Sequence, residues 1–401
     1  MPQVQEPPPL PLSKSKSSPR ECQNKIVRAA QSLGFERIGF APVEPFQRGK
    51  QALRDWLGEN YHGEMKYMAD HPMRHDPSSL LENAQTIISV AMSYAGHAQD
   101  QQGMTRLHGR IAHYARGKDY HRVIKSKLYA LTKEIEQIMG DNVRTRPCVD
   151  TAPILEHEAA ALAGVGFIAK STLTLVPGLG TYVLLGELLL DADLPTSPPI
   201  EPRCGECTAC LDACPTNAFI AENVLDARKC ISYLTIEYDG IIPRELRPKI
   251  GNMVFGCDIC QQVCPHNTAP QPRSAATEFK PLEKFTEPLL ADILLAGSAA
   301  HKRFVDDSAL RRASRNKLAR NAAIGLGNSS DTRAITPLLQ GLEQHEDPIV
   351  RAHIVWALGR LGGRRAQLAL KELEQKETNQ DVLDELQYAL EDKPTEKLMR
   401  A

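Results

Sequence analysis

The residues of this chain best suited to chemistry are eight of its ten cysteines. A first run reads Cys204-Gly-Glu-Cys207-Thr-Ala-Cys210-Leu-Asp-Ala-Cys214-Pro215. A second ends Cys257-Asp-Ile-Cys260-Gln-Gln-Val-Cys264-Pro265, with its leading cysteine displaced to Cys230. Thiolates two residues apart can wrap an iron–sulfur cluster from one tight loop, whose backbone N–H groups face the anionic sulfurs. In the C-x2-C-x2-C-x3-C-P spacing the fourth cysteine reaches the neighbouring cluster. The spacing predicts one 4Fe–4S cluster on Cys204, Cys207, Cys210 and Cys264, and another on Cys214, Cys230, Cys257 and Cys260. Cys22 and Cys148 are left over. Zinc also uses paired cysteines, but the interleaved run suits it poorly. Disulfides need an oxidising compartment that nothing in the chain indicates. Two clusters imply one-electron transfer, with the bond chemistry left to a second cofactor or a substrate.

The second candidate is a carboxyl group. Asp150, in Pro147-Cys-Val-Asp150-Thr-Ala-Pro153, stands where a strand gives way to a helix. It suits either a proton donor or an ordinary helix cap, with Asp150 or Thr151 accepting from backbone N–H groups. Glu156 and His157 read as the polar face of the helix that follows.

These groups need elements to hold them. Ile26, Val27, Ala30 and Leu33 share a helical face that Gly34 can close. Residues 35–40 and 86–92 read as strands, 46–57 as a helix. An amphipathic helix spans 120–139 and ends at Gly140. A strand at 143–149 and a helix at 152–163 follow. Residues 172–176 and 182–190 are expected to pair as strands around Pro177-Gly178. No G-x-G-x-x-G or phosphate loop occurs, which counts against a nicotinamide or ATP enzyme. Arg320-Asn-Ala-Ala-Ile-Gly-Leu-Gly327 recurs in pattern as Ala352-His-Ile-Val-Trp-Ala-Leu-Gly359, a helix-pair repeat of HEAT type.

The expected fold class is α+β and multidomain. A Pro/Ser/Lys-rich disordered tail covers 1–20, and an α/β domain 21–195. A bacterial-ferredoxin-like double-cluster domain covers 196–270, a linker 271–299, and all-α HEAT-like repeats 300–395. With 401 residues and 42% hydrophobic content the chain suits a globular protein. No apolar run approaches the ~20 residues of a membrane span, and residues 1–20 lack the apolar core of a secretion signal. A cytoplasmic protein is expected. The net charge of −1 exerts no global pull on nucleic acid. Locally, Lys302, Arg303, Arg311, Arg312, Arg315, Lys317 and Arg320 face only Asp306 and Asp307, a net +5. Such a run is either a solvated helix face or a phosphate-binding one.

Taken together, the motifs resemble the epoxyqueuosine reductases. The matching residues are Tyr114-Ala-Arg-Gly117-Lys-Asp119-Tyr120-His121, Val149-Asp150-Thr151, Gly164-Val-Gly166-Phe-Ile-Ala-Lys170, Cys230-Ile-Ser232-Tyr-Leu-Thr-Ile-Glu237 and Gly256-Cys257-Asp258-Ile-Cys260-Gln261. The resemblance runs from about 21 to 395. It implies reduction of the epoxide of epoxyqueuosine to queuosine, at the wobble position of tRNA with a GUN anticodon. It implies a cobalamin cofactor in the 21–195 domain, fed by the two 4Fe–4S clusters from an outside donor such as a flavodoxin or ferredoxin system. It makes Asp150 the proton donor, whose pKa burial is expected to raise. It places cobalamin contacts on Arg74, Asp150, Thr174, Leu185, Ile231, Asp258 and Ile259, and a tRNA contact on Tyr238. It favours the phosphate-binding reading of the basic segment and a monomer without membrane attachment. Ser171 and His266 depart from residues frequent in the family; neither is a cluster ligand or the acid. Two other readings are a reductive-dehalogenase-like reductase of small molecules and a non-catalytic electron carrier with a helical-repeat interaction module.

Overall fold

The computed structural model describes residues 17–97, 105–268 and 276–391. The expected tail up to residue 16, residues 269–275 at the start of the expected linker and residues 392–395 lie outside these. Pro19 and Arg20, expected in the tail, open the first helix, Pro19–Ser32. Ser18 and Glu21 close a capping box there.

Strands Arg37–Pro42, Thr86–Ser93, Val183–Leu190 and Thr145–Cys148 form an antiparallel sheet in that spatial order. Side chains alternate across it. Ile88, Val90, Met92, Leu188 and Leu190 pack under the helices Pro19–Ser32 and Tyr120–Met139, which supply Ile26, Ile124, Leu128 and Leu131. Ile87, Ala91, Cys148 and Leu189 pack on the other face against Ala159 and Ala160 of helix Glu156–Leu162. Gly39 lets that helix's end close on the sheet: a Cβ there would lie 1.8 Å from the Ala163 carbonyl oxygen. The expected pairing of 172–176 with 182–190 does not form. Thr174–Leu175 pairs with Phe167–Ile168, and only a Val176–Gly180 bridge closes the Pro177-Gly178 turn. Val183–Leu190 has gone to the centre of the sheet, where both its edges find partners.

The cysteine runs lie on tight turns around two short helices, Ala209–Asp212 and Ile259–Gln262. The first domain grips this segment by its backbone. Trp56 Nε1 donates to the Leu225 carbonyl at 2.7 Å, and the Tyr233 hydroxyl accepts from Glu64 N at 2.8 Å. Residues 276–299, expected as a linker, include helix Leu290–Leu294, whose Leu290, Ile293 and Leu294 are buried.

Helices Arg315–Asn328 and Pro348–Leu361 form the buried layer of the C-terminal repeats. They share one core with the cysteine segment. The joint is also polar. Arg320, 1% exposed, donates to the carbonyls of Leu234, Tyr238 and Gly240. Asn321 donates to those of Thr235 and Val254, and Lys317 to those of Ile236 and Glu237. Two of the seven basic residues expected on a surface face are thus turned inward. An arginine brings five donors in a fixed fork, which suits a cluster of strand-less carbonyls. Replacing Arg320 by Leu strands three buried acceptors. It should lower stability by about 3 kcal/mol, read as a fall in the urea midpoint of the anaerobic protein.

Candidate active site

One cleft joins the two candidate chemistries. It encloses about 1190 Å³, its open mouth included. Asp150, Glu156, Tyr114 and Tyr120 line one side; Cys230, Cys257 and Cys260 line another. Thr174 and Leu185 also line it, with Tyr94 and Gln261.

Asp150 follows the strand Thr145–Cys148 and sits at φ +50°, a left-handed conformation that aspartate tolerates better than most residues. The following helix starts only at Glu156, and its N-terminal residue Leu155 makes no side-chain cap. Asp150 is therefore no helix cap. Its Oδ2 bonds His121 Nε2 at 2.8 Å and pairs with Arg312 Nη1 at 3.3 Å. The Tyr120 hydroxyl also bonds it. His121 Nδ1 meets Asp119 Oδ1 at 2.6 Å, so the imidazole lies between two carboxylates.

The expected upward shift of Asp150 is not what this arrangement produces. Burial does push its carboxyl up, but the His121 bond, the His121 charge and the Arg312 charge outweigh it, and the net direction is down. Burial works against a charged His121, yet its bonds to Asp119 and Asp150 raise it overall. The proton accordingly rests on the imidazole. Asp150 is walled by protein but still 41% exposed, because the wall is a cleft.

Glu156 does not form a solvated polar face. It lines the cleft, accepts the Asp150 N–H and hydrogen-bonds Glu187, which is fully buried opposite Ser89. Burial raises both carboxyls, with the Asp150 charge adding to it at Glu156 and the Glu156 charge at Glu187; the Asp150 N–H and the His121 charge oppose it only in part. They hold a proton between them. His157 Nδ1 bonds Thr174 Oγ1 at 2.7 Å.

The other anticipated contacts lie one layer back. Arg74 is buried, and donates to the Ala152 carbonyl at 3.3 Å and to that of Tyr67 at 3.1 Å, which props the acid loop from beneath. Ile231 is buried beside Cys230, and Ile259 is half-buried between two cysteines. Asp258 accepts from His113 N at 2.8 Å. Its other carboxylate oxygen and Arg74 Nε are buried without a partner, two places where a bound group could satisfy a polar atom. Tyr238 is half-buried, its hydroxyl donating to the Ile241 carbonyl at 3.1 Å and its ring 5.9 Å from the Arg320 guanidinium. Tyr114, Tyr120, His121 and Glu156 stand in or beside the matched segments without an assigned role. Arg312 carried no signal beyond its charge.

All ten cysteines are free. Burial raises the Cys210 and Cys264 thiols, and their thiol neighbours are Cys204 and each other, with Cys207 beside Cys264. Burial pushes Cys257 up to about 12, with Cys230 and Cys214 as its neighbours. Cys260 neighbours Cys257 and Cys230 and, from the first run, Cys210. The thiols of the two runs lie near one another, and they suit groups that bind thiolates.

The ion pair sets a pH window. The Asp150 contribution to stability is present above its ordinary 3.8 and lost as pH falls through its depressed value. The His121 contribution is complete below 6.5 and lost as pH rises through its elevated value. Both are complete between 3.8 and 6.5. In an NMR titration the His121 ring should stay charged above pH 6.5, and Asp150→Asn should lower its midpoint. An unchanged midpoint would contradict the pairing.

Comparisons with known proteins bear on the whole chain. Residues 203–267 match the 4Fe–4S double cluster binding domain, 74–151 the family described as epoxyqueuosine reductase QueG, and 308–391 HEAT repeats. An epoxyqueuosine reductase of Pseudomonas aeruginosa is 40% identical over 360 residues, covering 89% of this chain and 99% of that one. A structure of epoxyqueuosine reductase with an epoxyqueuosine-modified tRNA-Tyr stem loop matches with a TM-score of 0.85 at 31% identity, covering 92% of this chain and 98% of that one. A Bacillus subtilis epoxyqueuosine reductase with its aspartate catalytic loop swung out of the active site matches with a TM-score of 0.85 at 30% identity, with the same coverage. The likeness spans the acid loop, the cysteine runs and the repeats alike, and the chain belongs to the epoxyqueuosine reductase family.

Proposed function

We propose that this chain reduces the epoxide of epoxyqueuosine, at the wobble position of tRNA with a GUN anticodon, to the cyclopentene of queuosine. The observation that carries this reading is the shared cleft: the acid Asp150 and the thiols of Cys230, Cys257 and Cys260 face one space. Two electrons and two protons convert the epoxide to an alkene and water. Cobalamin and two 4Fe–4S clusters, when bound, would supply the one-electron and reductive chemistry.

The chain's own residues do the rest. Cys204, Cys207, Cys210 and Cys264 hold one cluster; Cys214, Cys230, Cys257 and Cys260 hold the other, at the cleft wall. The 21–195 domain holds cobalamin: Thr174 and Leu185 from the cleft, Ile231 and Ile259 by packing, Asp258 and Arg74 through their unpartnered atoms. Asp150 takes the proton stored on His121, 2.8 Å away, and delivers it to the epoxide oxygen as the C–O bond breaks. Asp119 holds the imidazole in line for that transfer. Tyr238 and the exposed part of the basic segment contact the RNA. Electrons enter from an outside flavodoxin- or ferredoxin-type donor to a monomer in the cytoplasm. Among the described residues no helix is long and apolar enough to cross a membrane.

An anaerobic assay on an epoxyqueuosine-containing anticodon stem loop, with and without added cobalamin, tests the reading. Asp150→Asn should keep both cofactor types and lose turnover by about 100-fold or more; undiminished turnover would remove Asp150 from the role. Cys230→Ser should drop the iron content from about eight to about four per chain while leaving the first cluster's spectrum in place.

A further inference from the structure

Arg312 reaches the acid loop from a distant part of the chain. It ends the Ala309–Arg312 turn, just ahead of helix Arg315–Asn328. That turn is anchored without help from Asp150. Asp119 N donates to the Asp307 carbonyl at 3.0 Å, and Lys284 Nζ to the carbonyls of Arg303 and Asp306. Ser314 caps the helix that follows, and Lys317 and Arg320 bind that helix to the 234–240 carbonyls. The arginine therefore comes from a fixed base.

Its grip on Asp150 is partial. The pair spans 3.3 Å, engages one of the guanidinium nitrogens, and leaves the arginine side chain 44% exposed. Arg311 beside it is exposed as well. The Asp150 loop, by contrast, carries a left-handed aspartate, and in the Bacillus subtilis relative the aspartate catalytic loop is swung out of the active site. A fixed cation thus faces a loop whose backbone conformation is an unfavourable one.

We propose that Arg312 is a positioning residue for the acid: it holds the Asp150 loop against the cleft in the free chain, and exchanges that carboxylate for a phosphate of the RNA when the substrate docks. This rests on the reading that RNA is the substrate. A phosphate offers a guanidinium two parallel bonds in place of the single contact seen here. Once Arg312 turns away, Asp150 keeps His121 and loses a cation. Arg74 and His121 are then the positive groups near it, against Glu156, Glu237 and, behind the imidazole, Asp119. His157 and the tyrosines 67, 114 and 120 complete its surroundings. With fewer cations the carboxylate accepts the His121 proton more readily, and does so when substrate is in place.

A double-mutant cycle on the anaerobically purified holo chain tests the exchange, with a labelled tRNA anticodon stem loop as probe and anisotropy as readout. Arg312→Gln should weaken binding about threefold and reduce the log–log salt slope by about 0.8. Asp150→Asn should tighten binding about threefold by releasing Arg312, and should do nothing in the Arg312→Gln background. An equal effect of Asp150→Asn in both backgrounds would mean bulk charge alone, and would overturn the exchange. Hydrogen exchange of a peptide over 148–156 should quicken in free Arg312→Gln and be largely restored in Arg312→Lys; unchanged protection in Arg312→Gln would overturn the holding role. Failure of the wild-type chain to bind the hairpin would sink the RNA reading itself, whereas binding without coupling would sink this inference alone.

Discussion

A guanidinium with no water to bind is the constraint on which the rest of this structure leans. Arg320 is taken out of solvent, which is costly unless every donor is met. It meets the carbonyls of Leu234, Tyr238 and Gly240, groups that belong to no strand or helix able to satisfy them. Each side repairs the other's deficit. The 234–240 loop thereby acquires a fixed shape, and so does the helix Ile231–Ile236 that carries Cys230 and Ser232 to the cleft. The same helix of the repeats, one turn earlier, presents Lys317 to the Ile236 and Glu237 carbonyls. The repeats are therefore part of the frame that shapes the cleft wall.

On that frame the acid is governed by opposed fields. Burial alone would keep Asp150 protonated; His121 and Arg312 keep it ionised. The compromise puts a charged imidazole one hydrogen bond from an ionised carboxylate. The imidazole is held from its other side by Asp119. A second protonated store, the Glu156–Glu187 pair, lies below the loop backbone and ties the Asp150 N–H. The loop is thus held at its side chain, at its N–H and, through Arg74, at the Ala152 carbonyl. Three separate elements have to be in register for the acid to point where it does.

The cysteine segment obeys a related logic. Three of its thiols, on Cys230, Cys257 and Cys260, line the cleft, and the other five are half-buried. The helical repeats, the cysteine segment and the α/β sheet are distinct in sequence pattern, yet the larger core passes through two of them without a break.

Much of this was already legible in the order of residues. Local rules with short range suffice for it: the cysteine spacing, which is a property of one loop; the helix Tyr120–Met139, which its own periodicity and Gly140 delimit; and the repeat pattern around Arg320 and Ala352. The resemblance also led to Asp150. What the order of residues could not decide depends on groups far apart along the chain. Thr172–Val176 had a neighbouring strand available and a turn to reach it, but the 183–190 strand gains more from two sheet partners than from one hairpin. Lys317 and Arg320 read as surface charge because nothing local shows that the 234–240 carbonyls lie in wait for them. The direction of the Asp150 shift lies beyond the sequence for the same reason: burial is foreseeable from an apolar setting, whereas His121 and Arg312, 29 and 162 positions away, act through space and only after folding.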